Sequence, residues 1–231
     1  MRNLRRAIWW QKQWGAFLSL AILWVFTACS PTKTTQWPLQ SLDKIGGREV
    51  TVSGDPQVIA TAGREGGLAF DGVEDGILVH GNPLAGAEEF TIEVVFKPAD
   101  AWPANVEQRF FHLQEFPDGP RRILLELRLN NRRQWYADFF LRHENGSLVL
   151  IDSTKTHPVN EWATMTVVYQ NQQLKGYVNG VLETEGEVTY LPIPATARVS
   201  LGTRMDQRSW FNGIIKSVRF SPKVENPAKK K

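Results

Sequence analysis

Two alternating runs meet at the dipeptide Asn179-Gly180, and that junction restricts what the chain can fold into more than any other stretch. Upstream, Trp162, Thr164, Thr166 and Val168 alternate with Ala163, Met165, Val167 and Tyr169, a period of two carried by β-branched and aromatic residues. Residues 174–178 form a second run. Asn-Gly is the pair best suited to the two positive φ angles of a type I′ turn, and Val181-Leu182 then resume the strand, so neighbouring strands must lie antiparallel. The same pattern recurs elsewhere. Phe90, Ile92, Val94 and Phe96 mark the inward face of a strand over 90–97, and 109–114 reads as another. Two short strands flank Gly54-Asp55-Pro56 within 49–60, and no 3.6-residue periodicity follows the first thirty or so residues. The expectation is a nearly helix-free β-sandwich.

Three groups of residues extend this reading into a resemblance. Trp162, Val167 and Tyr169 precede Gly176-Tyr177-Val178-Asn179-Gly180. Before them stand Leu68-Ala69-Phe70-Asp71-Gly72, Asp75-Gly76 and Phe90-Thr91-Ile92-Glu93, and after them Ser200-Leu201-Gly202-Thr203 and the run 211–220. Over residues 66–220 the chain resembles the laminin-G-like, concanavalin A-like jelly-roll family. The resemblance implies an all-β jelly-roll β-sandwich of two antiparallel sheets, with Trp162 in the core. Its motifs are turns and core positions, so they speak for a fold and not for an activity.

The N-terminus carries a different message. Arg2, Arg5, Arg6 and Lys12 precede an apolar run at 16–26, 11 residues long, followed by Thr27-Ala28-Cys29-Ser30. That run is short of the roughly 20 residues a spanning helix needs, so 1–28 reads as a signal peptide; an uncleaved anchor lengthened by Trp9, Trp10 and Trp14 is the alternative. Cys29 is the only cysteine, which leaves no intramolecular disulfide. Phe26-Thr27-Ala28-Cys29 resembles the bacterial lipobox, with Phe26 in place of an aliphatic residue. The resemblance implies acylation of Cys29, a membrane anchor, and, with Ser30 rather than Asp next, the outer membrane of a two-membrane bacterium. The expected domains are 1–28 signal, 29–45 acylated cysteine and tether, whose eight-residue polar stretch 31–38 should have no fixed structure, 46–222 sandwich, and 223–231 basic disordered tail. Removing the four N-terminal cations from the 27 Lys and Arg leaves 23 against 24 Asp and Glu. A near-neutral body without a basic stripe argues against a nucleic-acid partner.

One pair of segments carries the candidate chemistry. In 121–130, Ile123, Leu125, Leu127 and Leu129 alternate with Arg122, Leu124, Glu126 and Arg128. In 133–142, Trp135, Ala137, Phe139 and Leu141 alternate with Gln134, Tyr136, Asp138 and Arg142. A hairpin between them sets Arg122, Glu126, Arg128, Tyr136, Asp138 and Arg142 on one sheet face. That mixture suits sugar, with an aromatic ring for C–H faces and charged groups for hydroxyls; a solvated face of cross-strand ion pairs is the simpler reading of the same residues. Arg204 and Trp210 are placed at the rim, Trp210 either lining a site or sealing the core edge. Glu126 and Asp138, with His157, are the catalytic candidates if the protein is a glycoside hydrolase or lyase, but the sequence offers neither a nucleophile elbow nor a phosphate loop. His143 and His157 read as exposed. No His pair has metal spacing, and Asp71 and Asp75 are too few for a Ca²⁺ shell, so turn chemistry is the expectation there and no cofactor is assigned. The reading is a membrane-anchored envelope lipoprotein with a lectin-like domain for glycan or a partner protein. A carbohydrate-active enzyme is the alternative.

Overall fold

A computed structural model describes residues 33–60 and 66–227. The expected signal peptide over 1–28, Cys29 and the terminal lysines lie outside the described residues. The strands run in chain order as β1 (Thr35–Pro38), β2 (Lys44–Ile45), β3 (Arg48–Ser53), β4 (Gln57–Ile59), β5 (Gly67–Asp71), β6 (Gly76–Val79), β7 (Phe90–Pro98), β8 (Glu107–Gln114) and β9 (Arg122–Leu129). They continue as β10 (Gln134–His143), β11 (Gly146–Ile151), β12 (His157–Pro158), β13 (Ala163–Gln170), β14 (Gln173–Val178), β15 (Val181–Glu187), β16 (Arg198–Leu201) and β17 (Asn212–Ser221). They form two antiparallel sheets. One has eight strands in the order β15-β14-β13-β7-β17-β5-β4, with β1 also on β17; the other has nine in the order β11-β10-β9-β8-β16-β6-β3-β2, with β12 also on β10.

Alternation decides which side chains meet between the sheets. Phe90, Ile92, Val94 and Phe96 of β7 are each 0% exposed, and Leu125, Leu127 and Phe139 of the other sheet share the same core. Aromatic contacts tie the layers together: Phe96 lies 4.4 Å from Phe110 and 5.3 Å from Trp135, centroid to centroid, and Phe111 lies 5.9 Å from Phe220. Asn179 (φ 49°) and Gly180 (φ 80°) make the turn between β14 and β15 with both angles positive, as the dipeptide demands. This is the jelly-roll sandwich the sequence implies.

Three expectations are corrected. The tether is not unstructured along its length, because Thr35–Pro38 adds a strand to β17 with Thr35 opposite Phe220. Trp37 is fully buried, its ring 4.7 Å from that of Phe220, and Leu39 and Ile45 are buried with it; apolar residues interrupting a polar stretch draw the chain back onto the core. The segment from 223 is likewise tied down as far as 227: Thr91 Oγ1 donates to the Lys223 carbonyl at 3.0 Å, and Glu225 pairs with Arg219 Nη1 at 2.5 Å. Trp162 is not in the core. It shares the register of Thr164 and Thr166, which points it outward, where Lys97 and Lys216 place their ammonium groups 5.6 and 5.4 Å from its ring.

Asp71 and Asp75 do turn chemistry. The Asp71 carboxylate accepts the backbone N–H groups of Val73, Glu74 and Asp75, which holds its pKa below the ordinary value despite burial acting the other way. Asp75 accepts from Asp55 and Asp71 at 2.7 and 3.0 Å.

Candidate functional site

The outer face of the nine-stranded sheet is assembled row by row from strand register. β9 and β10 pair with Arg122 opposite Arg142, Leu124 opposite Phe140, Glu126 opposite Asp138 and Arg128 opposite Tyr136. β8 extends these rows with Gln114 beside Arg122, His112 beside Leu124, Arg109 beside Glu126 and Glu107 beside Arg128, and β11 adds Val149 beside Phe140. A bulge between Arg109 and Phe111 breaks the alternation, so Phe110 and Phe111 are both buried in the core while Arg109 still faces out. The result is a basic row, then an apolar row, then two rows of mixed charge.

The mixed rows form one network. Arg109 Nε lies 3.0 Å from Glu126, and Arg109 also pairs with Glu107 and with Ser209. Arg128 contacts Asp138 at 2.9 Å through Nε and Glu107 at 2.8 Å through Nη1. The two carboxylate side chains are deep, Glu126 at 6% exposure and Asp138 at 3%. Burial pushes Glu126 up to about 7, with Arg109 pulling it back and Asp138 adding to the rise. Burial also raises Asp138, opposed by its hydrogen bond from Arg128. These groups border a cleft of about 220 Å³, joined by Arg122, Leu124, Phe140, Val149 and Arg204.

The loop after β16 closes one side. Met205 N–H donates to His112 Nδ1 at 2.9 Å, and Ser209 holds Arg109 through its backbone carbonyl at 2.8 Å and through its hydroxyl. Because Nδ1 accepts, the proton of the neutral imidazole sits on Nε2. Burial, reinforced by Arg122 and Arg109, brings His112 down to about 3, so the ring stays neutral.

Most of the residues singled out from sequence therefore converge: Arg122, Glu126, Arg128, Asp138 and Arg204 border one cleft, and Tyr136 continues the face beside Arg128. Two do not join them. Trp210 packs over Gly76, where a Cβ would stand 3.2 Å from its ring, and its carbonyl accepts from Asn105; it seals the edge. His157 is neither exposed nor near Glu126. It pairs across β10 with Trp135, packs 4.6 Å from that indole and bonds Glu183 at 2.9 Å, all on the core side of the sheet, so Glu126, Asp138 and His157 do not form a set. Arg109, His112 and Phe140 belong to the face and escape a motif search. His112 and Phe140 are reachable by strict alternation, whereas the bulge hides Arg109.

A family model described as the concanavalin A-like lectin/glucanases superfamily, Laminin_G_3, matches residues 71–229. The chain belongs to that superfamily. Among solved structures, this lectin-like sandwich is similar to the binding domain of botulinum neurotoxin DC in complex with SialylT, at 15% identity and TM-score 0.60 over 84% of the chain and 49% of the toxin domain. It is also similar to domain 4 of AbnA, a GH43 extracellular arabinanase from Geobacillus stearothermophilus, in complex with arabinotriose, at 16% identity and TM-score 0.51 over 82% and 96% of the two chains. A third is the NanB sialidase from Streptococcus pneumoniae, at 18% identity and TM-score 0.51 over 61% of the chain and 23% of the enzyme. The chain thus spans about half the length of the neurotoxin binding domain it matches. At these identities the likeness is one of fold. No curated protein matches the chain.

Proposed function

We propose that this protein is a lipid-anchored lectin-like module of the bacterial envelope that binds glycan through the outer face of β8, β9 and β10. One observation carries the reading: a cleft in which Glu126, Asp138, Arg109 and Arg128 are locked by mutual ion pairs beside the apolar surface of Leu124, Phe140 and Val149. A sugar ring needs that combination, an apolar patch for its C–H face and fixed polar groups for its hydroxyls. Preorganised charges spend less ordering entropy on binding than free surface side chains do. The arabinanase domain solved with arabinotriose and the toxin domain solved with SialylT lend support from the same fold. Anchoring rests on Thr27-Ala28-Cys29, the apolar run before it and the logic of multiple acyl chains. The full chain applied to a glycan array should bind a subset of glycans, and Glu126→Ala should abolish that binding; an array without signal removes the reading. Cys29→Ser should release the protein from the membrane fraction and end its labelling by a tagged fatty acid.

One observation favours a second reading. Burial holds Glu126 near 7, where a carboxyl serves as general acid, and Asp138 stands directly across the ladder from it. Release of reducing ends from a bound glycan, lost in Glu126→Gln, would make the protein a hydrolase. Binding without turnover keeps it a recognition module.

A further inference from the structure

Arg122 is a guanidinium of the sheet face with no ion-pair partner among the described residues. Its Nε is buried without a hydrogen-bond acceptor, and its Cζ lies 5.6 Å from the centroid of the Phe140 ring. Arg142 stands directly opposite on β10, and Arg198 continues the same row beyond Gln114. The loop after β16 contributes Arg204, and Arg122 and Arg204 are together the residues shared by the network cleft and a neighbouring cleft of about 400 Å³. The acids nearby do not balance them. Asp206 is already divided between Arg204 at 3.3 Å and Arg208 at 2.9 Å, and Asp118 is the one other acid that lines the second cleft.

The two clefts meet at Arg122 and Arg204, whose side chains line both. A planar guanidinium grips carboxylate or sulfate oxygens through two parallel bonds, so an oxygen-rich anion at this junction meets two such groups.

We propose that the junction of the two clefts, centred on Arg122 and Arg204, is a subsite for an anionic substituent on the bound glycan, the carboxylate of an acidic sugar or a sulfate ester. This rests on the sheet-face reading given above and narrows its ligand to acidic polysaccharide. Neutral sugar is then held by the apolar and mixed-charge rows, while the basic row selects for charge.

The test uses the full chain and three polymers of one backbone: dextran, carboxymethyl-dextran and dextran sulfate, in about 0.15 M salt, where long-range attraction is largely screened. At least one charged polymer should bind about tenfold more tightly than dextran, and Arg122→Gln should erase about that factor. Arg122→Lys should restore part of it, because charge returns without the planar fork. Lys97→Gln, on the other sheet, should change nothing. Preference for the carboxymethyl polymer identifies a carboxylate ligand, and preference for the sulfated one a sulfate ester. If Arg122→Gln loses its far-UV circular dichroism, Arg204→Gln, in the loop, carries the same expectation. Equal affinity for charged and neutral dextran overturns the subsite, as does equal weakening by Arg122→Gln and Lys97→Gln. Neutral glycans bound on the array with no preference for charge would sink the subsite and leave the sheet-face reading standing; an array and a polymer set both without binding would sink both.

Discussion

The two sheets present outer faces built by the same alternation, yet they bury their charges to different depths. On the nine-stranded sheet, Glu126 and Asp138 are almost wholly covered and each is met by an arginine. On the eight-stranded sheet, Lys175 and Glu185 pair at 3.1 Å with 38% and 52% of their side chains exposed, and Lys97 and Lys216 lie over Trp162. The difference comes from what is laid over each sheet. The loop after β16 reaches across β8 to bond His112 and Arg109, so polar side chains beneath it lose their water. The C-terminal segment covers part of the other sheet, where Arg219 pairs with Glu93 and Glu225 at 15%, 16% and 27% side-chain exposure, less deeply than Glu126 and Asp138. A charge that keeps its water contributes little, whereas a charge that loses it must be paired, and pairing fixes its position.

The largest expected effect breaks that contrast directly. Arg128→Ala strands the Asp138 carboxylate, which is 3% exposed and takes its side-chain hydrogen bond from Arg128, and should cost about 3 kcal/mol in equilibrium denaturation. Lys175→Ala breaks a pair of similar geometry in solvent and should cost no more than about 0.5 kcal/mol. Equal losses would mean that the covered face is no more organised than the open one.

The covered face also holds two groups that pull stability in opposite directions with pH. Folded Glu126 keeps its proton to about 7 against an ordinary 4.5, so the folded state binds the extra proton in that window and stability falls as pH rises through it. Folded His112 stays neutral down to about 3 against an ordinary 6.5, so the unfolded state binds the extra proton and stability falls as pH drops below 6.5. Between 4.5 and 6.5 the two slopes oppose each other. Glu126→Gln should therefore uncover the His112 slope, a loss of about 2 kcal/mol relative to the parent from pH 6.5 to 4.5, measured by denaturant midpoint. Parallel pH profiles for parent and variant would show that burial does not raise Glu126.

Sheet-face membership was legible in the sequence wherever alternation ran unbroken, and depth was not. The rows Arg122, Glu126, Arg128 and Tyr136, Asp138, Arg142 follow from two periodic segments joined by a turn, and the register places them as alternation requires. Arg109 was hidden by a one-residue bulge that no local pattern announces. The Arg109 that pairs with Glu126 is held by Ser209, 100 residues away in sequence, and the placement of His157 on the core side depends on a two-residue strand pairing with Trp135. Trp37 shows the converse: eight polar or Pro-flanked residues read as a tether, yet one indole with a core site to fill turned part of it into a strand.

The smallest effect sharpens the comparison from the open side, at Trp162. Were that indole a core residue, Trp162→Ala would cost about 3–5 kcal/mol and the lysines would be irrelevant to it. With its ring half-buried and facing outward beneath two ammonium groups, the truncation should cost about 1–2 kcal/mol, from partial loss of apolar burial together with the cation–π contact. Lys97→Ala should then cost about 0.5 kcal/mol, measurable as a small shift in denaturant midpoint. In a Trp162→Ala background the same lysine substitution should cost nothing, because its partner is gone. A double-mutant cycle without coupling would leave Trp162 an outward-facing ring that the two lysines do not hold, and its contribution would then be apolar burial alone.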